Sequence, residues 1–283
     1  MTDLSPLAKA QGPAPRHQRT RGLAEVALEA GPKGARLTRL YQRGSAKVFL
    51  PTVHGDRPEI VFLNTAGGLT GGDAMRFDLT LGAGVRATAT TQTAERAYAS
   101  LGDPASMIVR MNVRAGGVLH WLPQETILFE HSTLARRTEI DLEGDAAVVF
   151  CETIVLGRAA MGERLCHMRC TDWRAVRRDG RPVLVEPFEL TSDHLAQREG
   201  AAVLGDAVAV STLALCAPGA QDQLAAIRAC LVQAPDRVRA AASGWDDKLV
   251  VRALSSDAHA LRKTVAAVLR ILTGRALPRV WAI

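Results

Sequence analysis

Several features that would mark a protein class are scarce in this sequence. Aromatic residues make up 4% of the 283 residues, so Ala, Val and Leu must fill most of any core. The five cysteines are odd in number and irregular in spacing, which argues against a disulfide framework. There is no run of about 18 apolar residues to form a transmembrane helix and no apolar segment typical of a signal peptide. We therefore expect a reduced, cytoplasmic protein without a membrane partner.

Sequence signatures of catalysis are also absent. The chain has no G-x-S-x-G motif, no phosphate-binding loop followed by lysine, and no histidine or cysteine spacing typical of zinc enzymes. The formal net charge of +6 is compatible with an acidic partner, but it is too small to indicate nucleic acid. Between residues 31 and 58 the charges suggest a solvated basic face or a docking surface for an acidic partner, since only Asp56 opposes Lys33, Arg36, Arg39, Arg43, Lys47 and Arg57.

Alternation of apolar and polar residues dominates the first two thirds of the chain. It is clear over residues 22–30, and similar short runs recur as far as about residue 190. A period of two residues is typical of half-buried β-strands. The dipeptide Asp179-Gly180 lies between two such runs, residues 164–176 and 182–190, and predicts a tight β-hairpin.

Helical spacing of apolar residues occurs only in the last third, so the predicted fold is mainly β. The longest helix is predicted over residues 257–273, with Ser255 or Ser256 as its N-terminal cap and Gly274 as its C-terminal cap. Residues 1–19 are rich in Pro, Ala and Gly and predict a disordered tail, followed by a single domain over residues 20–283. The other two predicted helices are residues 192–202, with Ser192 or Asp193 as cap, and residues 221–232.

The densest group of soft metal ligands is the segment Cys166-His167-Met168-Arg169-Cys170. If this segment is a strand, Cys166 and Cys170 lie about 13 Å apart on one face and His167 points to the other. Packing is then favoured over metal binding for the two cysteines. His120 precedes Trp121 in another predicted strand, and we expect a core histidine there, with a transient metal contact as the less favoured alternative.

A glycine-rich loop, NTAGGLTGGD at residues 64–73, separates two strand-like runs. It resembles a ligand cradle, but no Lys-Ser/Thr follows it. It also leads into a strand and so lacks the helix N-terminus that favours phosphate. We expect a tight turn in which the carboxylate of Asp73 accepts backbone N–H bonds.

Four carboxylates are candidates for chemistry or for contact with a passing divalent ion: Asp73, Glu125, Glu152 and Glu163. Glu152 lies in an otherwise apolar run over residues 148–156. A buried carboxylate is costly unless it is paired, so Arg158 or another basic group is expected beside it. A carboxylate-dependent β-rich hydrolase or sugar-binding protein would need two of the four roughly 5 to 10 Å apart in an open cleft. This alternative fails if they are dispersed or buried.

Five segments stand out, in order, between about residue 22 and the C-terminus. They are residues 64–73, 90–100, 122–126, 157–163 and 278–281. Together they resemble the urease accessory protein family UreD, also called UreH, in which the position of Arg96 is usually lysine. The residues taken as the family motif are Asn64, Gly67, Gly68, Gly71, Gly72, Asp73, Thr91, Gln92, Arg96, Tyr98, Pro123, Glu125, Glu152, Gly157, Arg158 and Glu163.

The resemblance implies a non-catalytic chaperone for nickel insertion. Such a protein binds UreF, the GTPase UreG and the apo-urease subunits, and it assists delivery of Ni(II) to the urease active site. The implied fold is an irregular β-helical stack of many short strands, with a few helices in the C-terminal third. No cofactor is expected to bind tightly. Ni(II) in transit through an internal channel would contact carboxylates such as Asp73 and Glu152.

Overall fold

The fold consists of two β-sheets and a C-terminal helical layer. A computed structural model describes residues 18–52, 57–158, 161–200 and 203–282. The predicted tail therefore lies outside the described residues, apart from residues 18 and 19. Strands account for 52% of the structure and helices for 15%, which confirms the prediction of a mainly β protein.

The first sheet has seven strands: β1 (Arg21–Gly31), β2 (Gly34–Arg43), β5 (Ala74–Leu81), β8 (Ala105–Val113), β11 (Thr133–Leu142), β13 (Arg169–Arg178) and β14 (Arg181–Thr191). Their spatial order is β14-β13-β11-β8-β5-β1-β2. The five inner strands run parallel to one another. The edge strands β2 and β14 are antiparallel to their neighbours, so each edge of the sheet ends in a hairpin.

The second sheet has ten strands: β3 (Ala46–Phe49), β4 (Glu59–Asn64), β6 (Arg86–Thr91), β7 (Glu95–Ala97), β9 (Val118–Leu122), β10 (Thr126–Leu128), β12 (Ala147–Leu156), β15 (Ala209–Cys216), β16 (Val238–Trp245) and β17 (Lys248–Ser255). The main order is β16-β17-β15-β12-β9-β6-β4-β3, with β10 joining β12 to β7. Strands β4, β6, β9 and β12 run parallel.

The chain passes repeatedly from one sheet to the other. Strands β4, β6, β9 and β12 of the second sheet alternate along the sequence with β5, β8, β11 and β13 of the first. Each pass adds one parallel strand to both sheets, as the successive coils of a β-solenoid do. The expected irregular β-helical stack is therefore confirmed.

The space between the sheets holds the larger of two apolar cores. Phe62 and Phe77 stack there with ring centroids 4.8 Å apart, and Trp121 meets Phe62 edge to face at 6.2 Å. Small residues such as Ala87 and Ala89 fill the remaining space on β6, as expected from the shortage of aromatic residues. Burial of each large side chain contributes about 1.5 to 3 kcal/mol.

The second core lies between the outer face of the ten-stranded sheet and the C-terminal helices. The α-helices in the described ranges are α1 (Ser192–Ala196), α2 (Leu224–Val232) and α3 (Ala258–Thr273). Leu261, Val265 and Leu269 of α3 are buried in one cluster with Leu213 and Val251 of the sheet. The periodicity of the sequence thus correctly located the long helix. Its C-terminal cap is Gly274, as predicted, and this glycine has a left-handed φ of 63°. None of these helices combines the length and apolar character needed to cross a bilayer.

Two predicted helix caps were wrong. Helix α1 ends at Ala196 and not at residue 202, and Thr191 is its N-terminal cap, in place of Ser192 or Asp193. Helix α3 is capped by Asp257, whose carboxylate accepts the N–H groups of His259 and Ala260. Ser255 belongs instead to the end of β17, where its hydroxyl donates to the carbonyl of Arg237 at 2.8 Å.

Strand predictions failed where the local sequence was misleading. Strand β16 was not predicted, because its sequence, VRAAASGW, is rich in alanine and poor in β-branched residues. Pairing with β17 along its whole length overrides that weak propensity. The strand predicted over residues 164–176 begins only at Arg169. Its hairpin turn is confirmed, with Asp179 (φ 49°) and Gly180 (φ 77°) both left-handed.

Candidate functional site

The motif segments converge on one edge of the ten-stranded sheet. Strands β4, β6, β9 and β12 end at Asn64, Thr91, Leu122 and Leu156. Because they run parallel, these carboxyl ends lie on the same edge. Four of the five motif segments begin within one residue of these ends, and the fifth packs against them. We call the four strand ends and the loops that follow them the motif edge.

The glycine loop is joined to the second motif segment by backbone hydrogen bonds. The N–H of Leu69 donates to the carbonyl of Arg96 and the N–H of Tyr98 donates to the carbonyl of Leu69, both at 2.7 Å. A Cβ atom on Gly68 would lie 2.3 Å from the Tyr98 ring, so glycine is required there by close approach. The guanidinium of Arg96 reaches back to the carbonyl of Gly67 at 3.4 Å.

The third motif segment bonds both to the second and to the C-terminus. The N–H of Gln124 donates to the hydroxyl of Thr91 at 2.9 Å. The indole N–H of Trp281 donates to the carbonyl of Leu122 at 3.0 Å, so Trp281 is docked against the sheet. Glu125 is paired with Arg262 of α3 at 2.6 Å. The motif edge therefore also holds the C-terminal layer in place.

The fourth motif segment completes the motif edge. The Arg158 guanidinium lies 4.7 Å from the centroid of the Phe129 ring, and that ring meets Tyr98 at 5.1 Å. Arg158 also pairs with Glu163 at 2.9 Å. Of the two alternatives predicted for the partner of Glu152, Arg158 or another basic group, Arg158 is therefore excluded. The chain turns at Gly157 (φ 78°) and directs Arg158 away from the sheet interior.

Asp73 closes the glycine loop as predicted. Its carboxylate accepts the N–H of Thr20 at 2.7 Å and the N–H of Thr70 at 2.9 Å. The residue is buried. These bonds attach the loop to the segment that enters β1. Asp73 therefore has a structural role that does not require a ligand.

Glu152 is buried between the sheets, 2% exposed, and its partner is Arg136 at 2.7 Å. The indole N–H of Trp121 donates to the same carboxylate at 3.1 Å. Burial raises the pKa of Glu152, and the positive charge of Arg136 opposes that effect. The sequence had indicated that Glu152 needs a cation; the structure shows that it comes from β11 of the other sheet.

An alternating chain of charges continues from Glu152 towards the surface. The Arg136 guanidinium also binds Asp172, and Arg174 binds Asp172 at 2.6 Å. Arg174 lies 3.6 Å from Glu186, which pairs with the exposed Arg252 at 3.1 Å. We call these six residues the ion-pair chain: Glu152, Arg136, Asp172, Arg174, Glu186 and Arg252. Burial acts to raise the pKa of Asp172, but its two arginine partners outweigh burial and hold that pKa below its usual range.

A small cavity of about 30 Å³ lies beneath the motif edge, with room for about one or two water molecules. The motif residues Asn64, Gly67, Thr91, Arg96, Pro123 and Glu152 line it, together with Glu95. Glu95 has no distinctive signal in the sequence, because a glutamate beside an arginine is typical of a solvated pair. Burial raises its pKa to about 7, although the Arg96 N–H and the Asn64 side chain act in the opposite direction.

The four candidate carboxylates are all engaged with other groups of the protein. Asp73 accepts two backbone N–H bonds. Glu125, Glu152 and Glu163 pair with Arg262, Arg136 and Arg158. A hydrolase needs one carboxyl group poised to lose or gain a proton beside an open substrate cleft. These pairings do not provide that arrangement.

The predicted strand position of Cys166 and His167 was wrong. Both lie in the loop before β13, where they are exposed, whereas Cys170 is buried within the strand. His167 approaches Glu130 at 2.9 Å and its ring lies 5.2 Å from that of His131.

His120 is buried, as expected, and its ring lies 3.1 Å from Arg57. Burial lowers its pKa to about 3, with nearby arginines acting in the same direction.

The predicted basic segment corresponds largely to β2, the edge strand of the seven-stranded sheet. Most of its side chains are exposed, and Arg39 pairs with Glu25 of β1. Leu37, Leu40 and Tyr41 are each at least 40% exposed on the same strand. The segment is therefore both basic and apolar. Asp56, its predicted acidic member, lies outside the described residues.

Comparisons with known proteins agree with the motif set. A family described as "UreD urease accessory protein" matches residues 20–282. A protein of Cereibacter sphaeroides named urease accessory protein UreD is 56% identical over 93% of this chain and 95% of its own length. Proteins of the same name from Dinoroseobacter shibae and Paracoccus denitrificans are 48% and 45% identical, each over 95% of this chain and 94% of its own length.

Proposed function

Because this chain belongs to the UreD family of urease accessory proteins, we propose that it acts as a non-catalytic scaffold in urease maturation. In this role it binds UreF, UreG and the apo-urease subunits in the cytoplasm. It holds no tightly bound cofactor and assists the delivery of Ni(II), which is cargo. Nucleic acid and membranes are not among the proposed partners.

The observation that carries this proposal is the convergence of the motif segments on one edge. Their side chains are engaged in ion pairs, within one segment for Arg158–Glu163 and with α3 for Glu125–Arg262. The enclosed cavity beside Glu152, of about 30 Å³, is too small for an organic substrate, which typically needs several hundred cubic ångströms. A motif that maintains a shaped surface suits partner binding better than chemistry.

The exposed strand β2 is the surface that we assign to a protein partner. An edge strand offers unpaired backbone groups for contact. Leu37, Leu40 and Tyr41 add exposed apolar area, and Arg36 and Arg43 add positive charge. The partner surface that fits is therefore apolar with an acidic rim.

Co-purification of the full chain with UreF tests the scaffold role. We expect a stable complex on size-exclusion chromatography, and its absence with both proteins folded would contradict the proposal. A Leu37→Thr/Leu40→Thr variant is expected to weaken binding of at least one partner, because threonine keeps strand propensity while removing apolar area. Val185→Thr is the matched control, since Val185 is 44% exposed on β14, at the opposite edge of the same sheet.

For the nickel cargo we propose transient contacts with the carboxylates of Glu152 and Asp73. Carboxylate oxygens are ligands for divalent ions, and the cavity beside Glu152 is polar enough to admit water. Glu152→Gln is expected to reduce urease activation on co-expression while leaving the UreF complex intact. Glu189→Gln, an exposed carboxylate on β14, should leave activation unchanged. Full activation by a folded Glu152→Gln variant would exclude this contact.

A further inference from the structure

A cluster of three metal-ligating side chains lies at the motif edge and is not used by the proposed function. Glu130, His131 and His167 each present one ligand atom, and these atoms all lie within 4.8 Å of one another. Glu130 Oε1 is 2.9 Å from His167 Nδ1 and 4.0 Å from His131 Nε2. The two imidazole rings are nearly parallel, with an interplanar angle of 21°.

The two loops that carry these side chains are fixed to each other. The N–H of His131 donates to the carbonyl of His167 at 2.7 Å. The carboxylate of Glu130 accepts the N–H groups of Cys166 and His167 at 2.8 and 3.0 Å. These bonds orient the carboxylate before any ion arrives, so one ligand of the cluster is already positioned.

His131 has an unusual backbone conformation for this role. Its φ is 61°, a left-handed value that non-glycine residues seldom adopt. The neighbouring backbone maintains it, since the carbonyl of His131 accepts the N–H of Ser100 at 2.9 Å. Such conformations persist where the surrounding structure enforces them, often at functional sites. Here the conformation places the His131 ring beside that of His167.

The separations suit a single ion. Metal–nitrogen and metal–oxygen bonds of about 2.0 to 2.2 Å place two ligands of one ion about 3 to 4 Å apart. The two distances from Glu130 Oε1, 2.9 and 4.0 Å, lie at or near that range. Small rotations of the exposed side chains shorten the longer separations. The side chains of His131 and His167 are 63% and 67% exposed, so coordination positions stay open to water. An ion replaces the hydrogen bond between His167 Nδ1 and Glu130.

We propose that Glu130, His131 and His167 form a surface site for one divalent cation of the late first transition series, such as Ni²⁺, Zn²⁺ or Cu²⁺. Two imidazoles and one carboxylate match the ligand preference of these ions and not that of Mg²⁺ or Ca²⁺. Three protein ligands with open positions give a site that exchanges its ion readily. The site is separate from Glu152 and Asp73, and it does not depend on the urease-maturation role.

Equilibrium dialysis of the metal-free full chain against Ni²⁺ or Zn²⁺ alone tests the site. His167→Ala and His131→Asn are each expected to weaken binding of one ion per chain by at least about tenfold. Asparagine is chosen at position 131 because it tolerates the left-handed conformation. His259→Ala, which removes an exposed histidine of α3 outside the cluster, should bind as the unsubstituted chain does.

Loading with Cu²⁺ provides a second readout that does not rely on affinity. Electron paramagnetic resonance should show hyperfine coupling to two imidazole nitrogens in the unsubstituted chain and to one in His167→Ala. Mg²⁺ at the same concentration should not displace the ion. Equal affinity in all three variants, or a nitrogen signal unchanged by loss of His167, would overturn the proposal and leave only a histidine–glutamate hydrogen bond.

Discussion

The guanidinium of Arg136 on β11 lies 2.7 Å from the carboxylate of Glu152 on β12, so this ion pair joins the two sheets. Both side chains are at most 3% exposed. The same guanidinium also binds Asp172, so one cation serves two buried carboxylates. Glu152 therefore depends on Arg136 for compensation of its charge, whereas Asp172 is also paired with Arg174 at 2.6 Å.

Replacing Arg136 by methionine should destabilise the fold by about 3 to 5 kcal/mol, because Glu152 is left buried without a cation and Asp172 keeps only Arg174. The free energy of unfolding in urea measures the loss. The loss should be smaller at acidic pH, because protonation removes the charge of the buried carboxylates. Glu152→Gln should cost only about 1 to 2 kcal/mol, because an amide oxygen still accepts the Trp121 N–H bond. A loss below about 1 kcal/mol for Arg136→Met would show that water or another cation compensates.

Glu95 is expected to make stability depend on pH. Its pKa is about 7 in the folded chain against 4.5 as the ordinary value, so the folded state holds the proton more tightly. The stabilisation is complete below pH 4.5 and is lost as pH rises through 7. Glu95→Gln, which mimics the protonated side chain, should gain up to roughly 3 kcal/mol relative to the unsubstituted chain between pH 4.5 and 8.

Comparison of Glu95→Gln with the unsubstituted chain isolates the titration of Glu95 from that of other groups. His120 acts in the opposite direction: its folded pKa of about 3 lies below the ordinary 6.5, so its contribution is lost as pH falls. Because His120 is present in both proteins, its contribution cancels in the comparison. Urea denaturation at several pH values provides the measurement. A difference between the proteins that stays constant over this range would contradict the raised pKa of Glu95.

The sequence predicted the strands and the motif segments of the motif edge, because local patterns determine both. It did not predict that the segments meet, since this follows from the parallel pairing of β4, β6, β9 and β12, which places their carboxyl ends on one edge. The partner of Glu152 was missed because pairing across sheets is long-range. A signal was nevertheless present: alternation along β11 places Arg136 on the same face as the buried Leu134 and Ile140, and a cation on an apolar face requires a buried anion.

The metal-ligand cluster and Glu95 were beyond prediction for a different reason. A strand over residues 164–168, as predicted, would keep His167 away from Glu130 and His131. In the structure these residues form a loop, which brings His167 to within 2.9 Å of Glu130. No sequence period describes such a return. The burial of Glu95 likewise depends on the Asn64 side chain and the cavity around it, and a neighbouring arginine in the sequence gives no indication of either.

Gly71 and Gly67 provide a matched pair of alanine substitutions in the glycine loop. A Cβ atom on Gly71 would lie 1.9 Å from the Ser100 hydroxyl and 2.5 Å from the Asp103 carbonyl oxygen. Gly71→Ala should therefore cost about 1 to 3 kcal/mol through overpacking. At Gly67 a Cβ atom has nothing within 4 Å, but φ is 79°, so Gly67→Ala should cost only about 1 to 2 kcal/mol of backbone strain.

Addition of Ser100→Ala distinguishes the two causes, as measured by the midpoint of thermal unfolding. The second substitution should restore part of the stability lost in Gly71→Ala, because the hydroxyl clash disappears while the Asp103 carbonyl remains. It should restore none of the stability lost in Gly67→Ala. Equal rescue of both variants would indicate that packing against Ser100 is not what excludes a side chain at Gly71.

Trp281 should contribute more to stability than any exposed aromatic residue, although it lies near the C-terminus. It is 7% exposed, its N–H group bonds to Leu122, and the Arg262 guanidinium lies 4.7 Å from its ring. Trp281→Ala should cost about 3 kcal/mol or more. Trp245→Ala, at a residue that is 45% exposed beside Lys248, should cost at most about 1 kcal/mol. Trp281 joins the helical layer to the motif edge, so its loss should also expose Glu125 and Arg262 and speed proteolysis of the C-terminal segment. Equal unfolding midpoints for Trp281→Ala and Trp245→Ala would contradict this coupling.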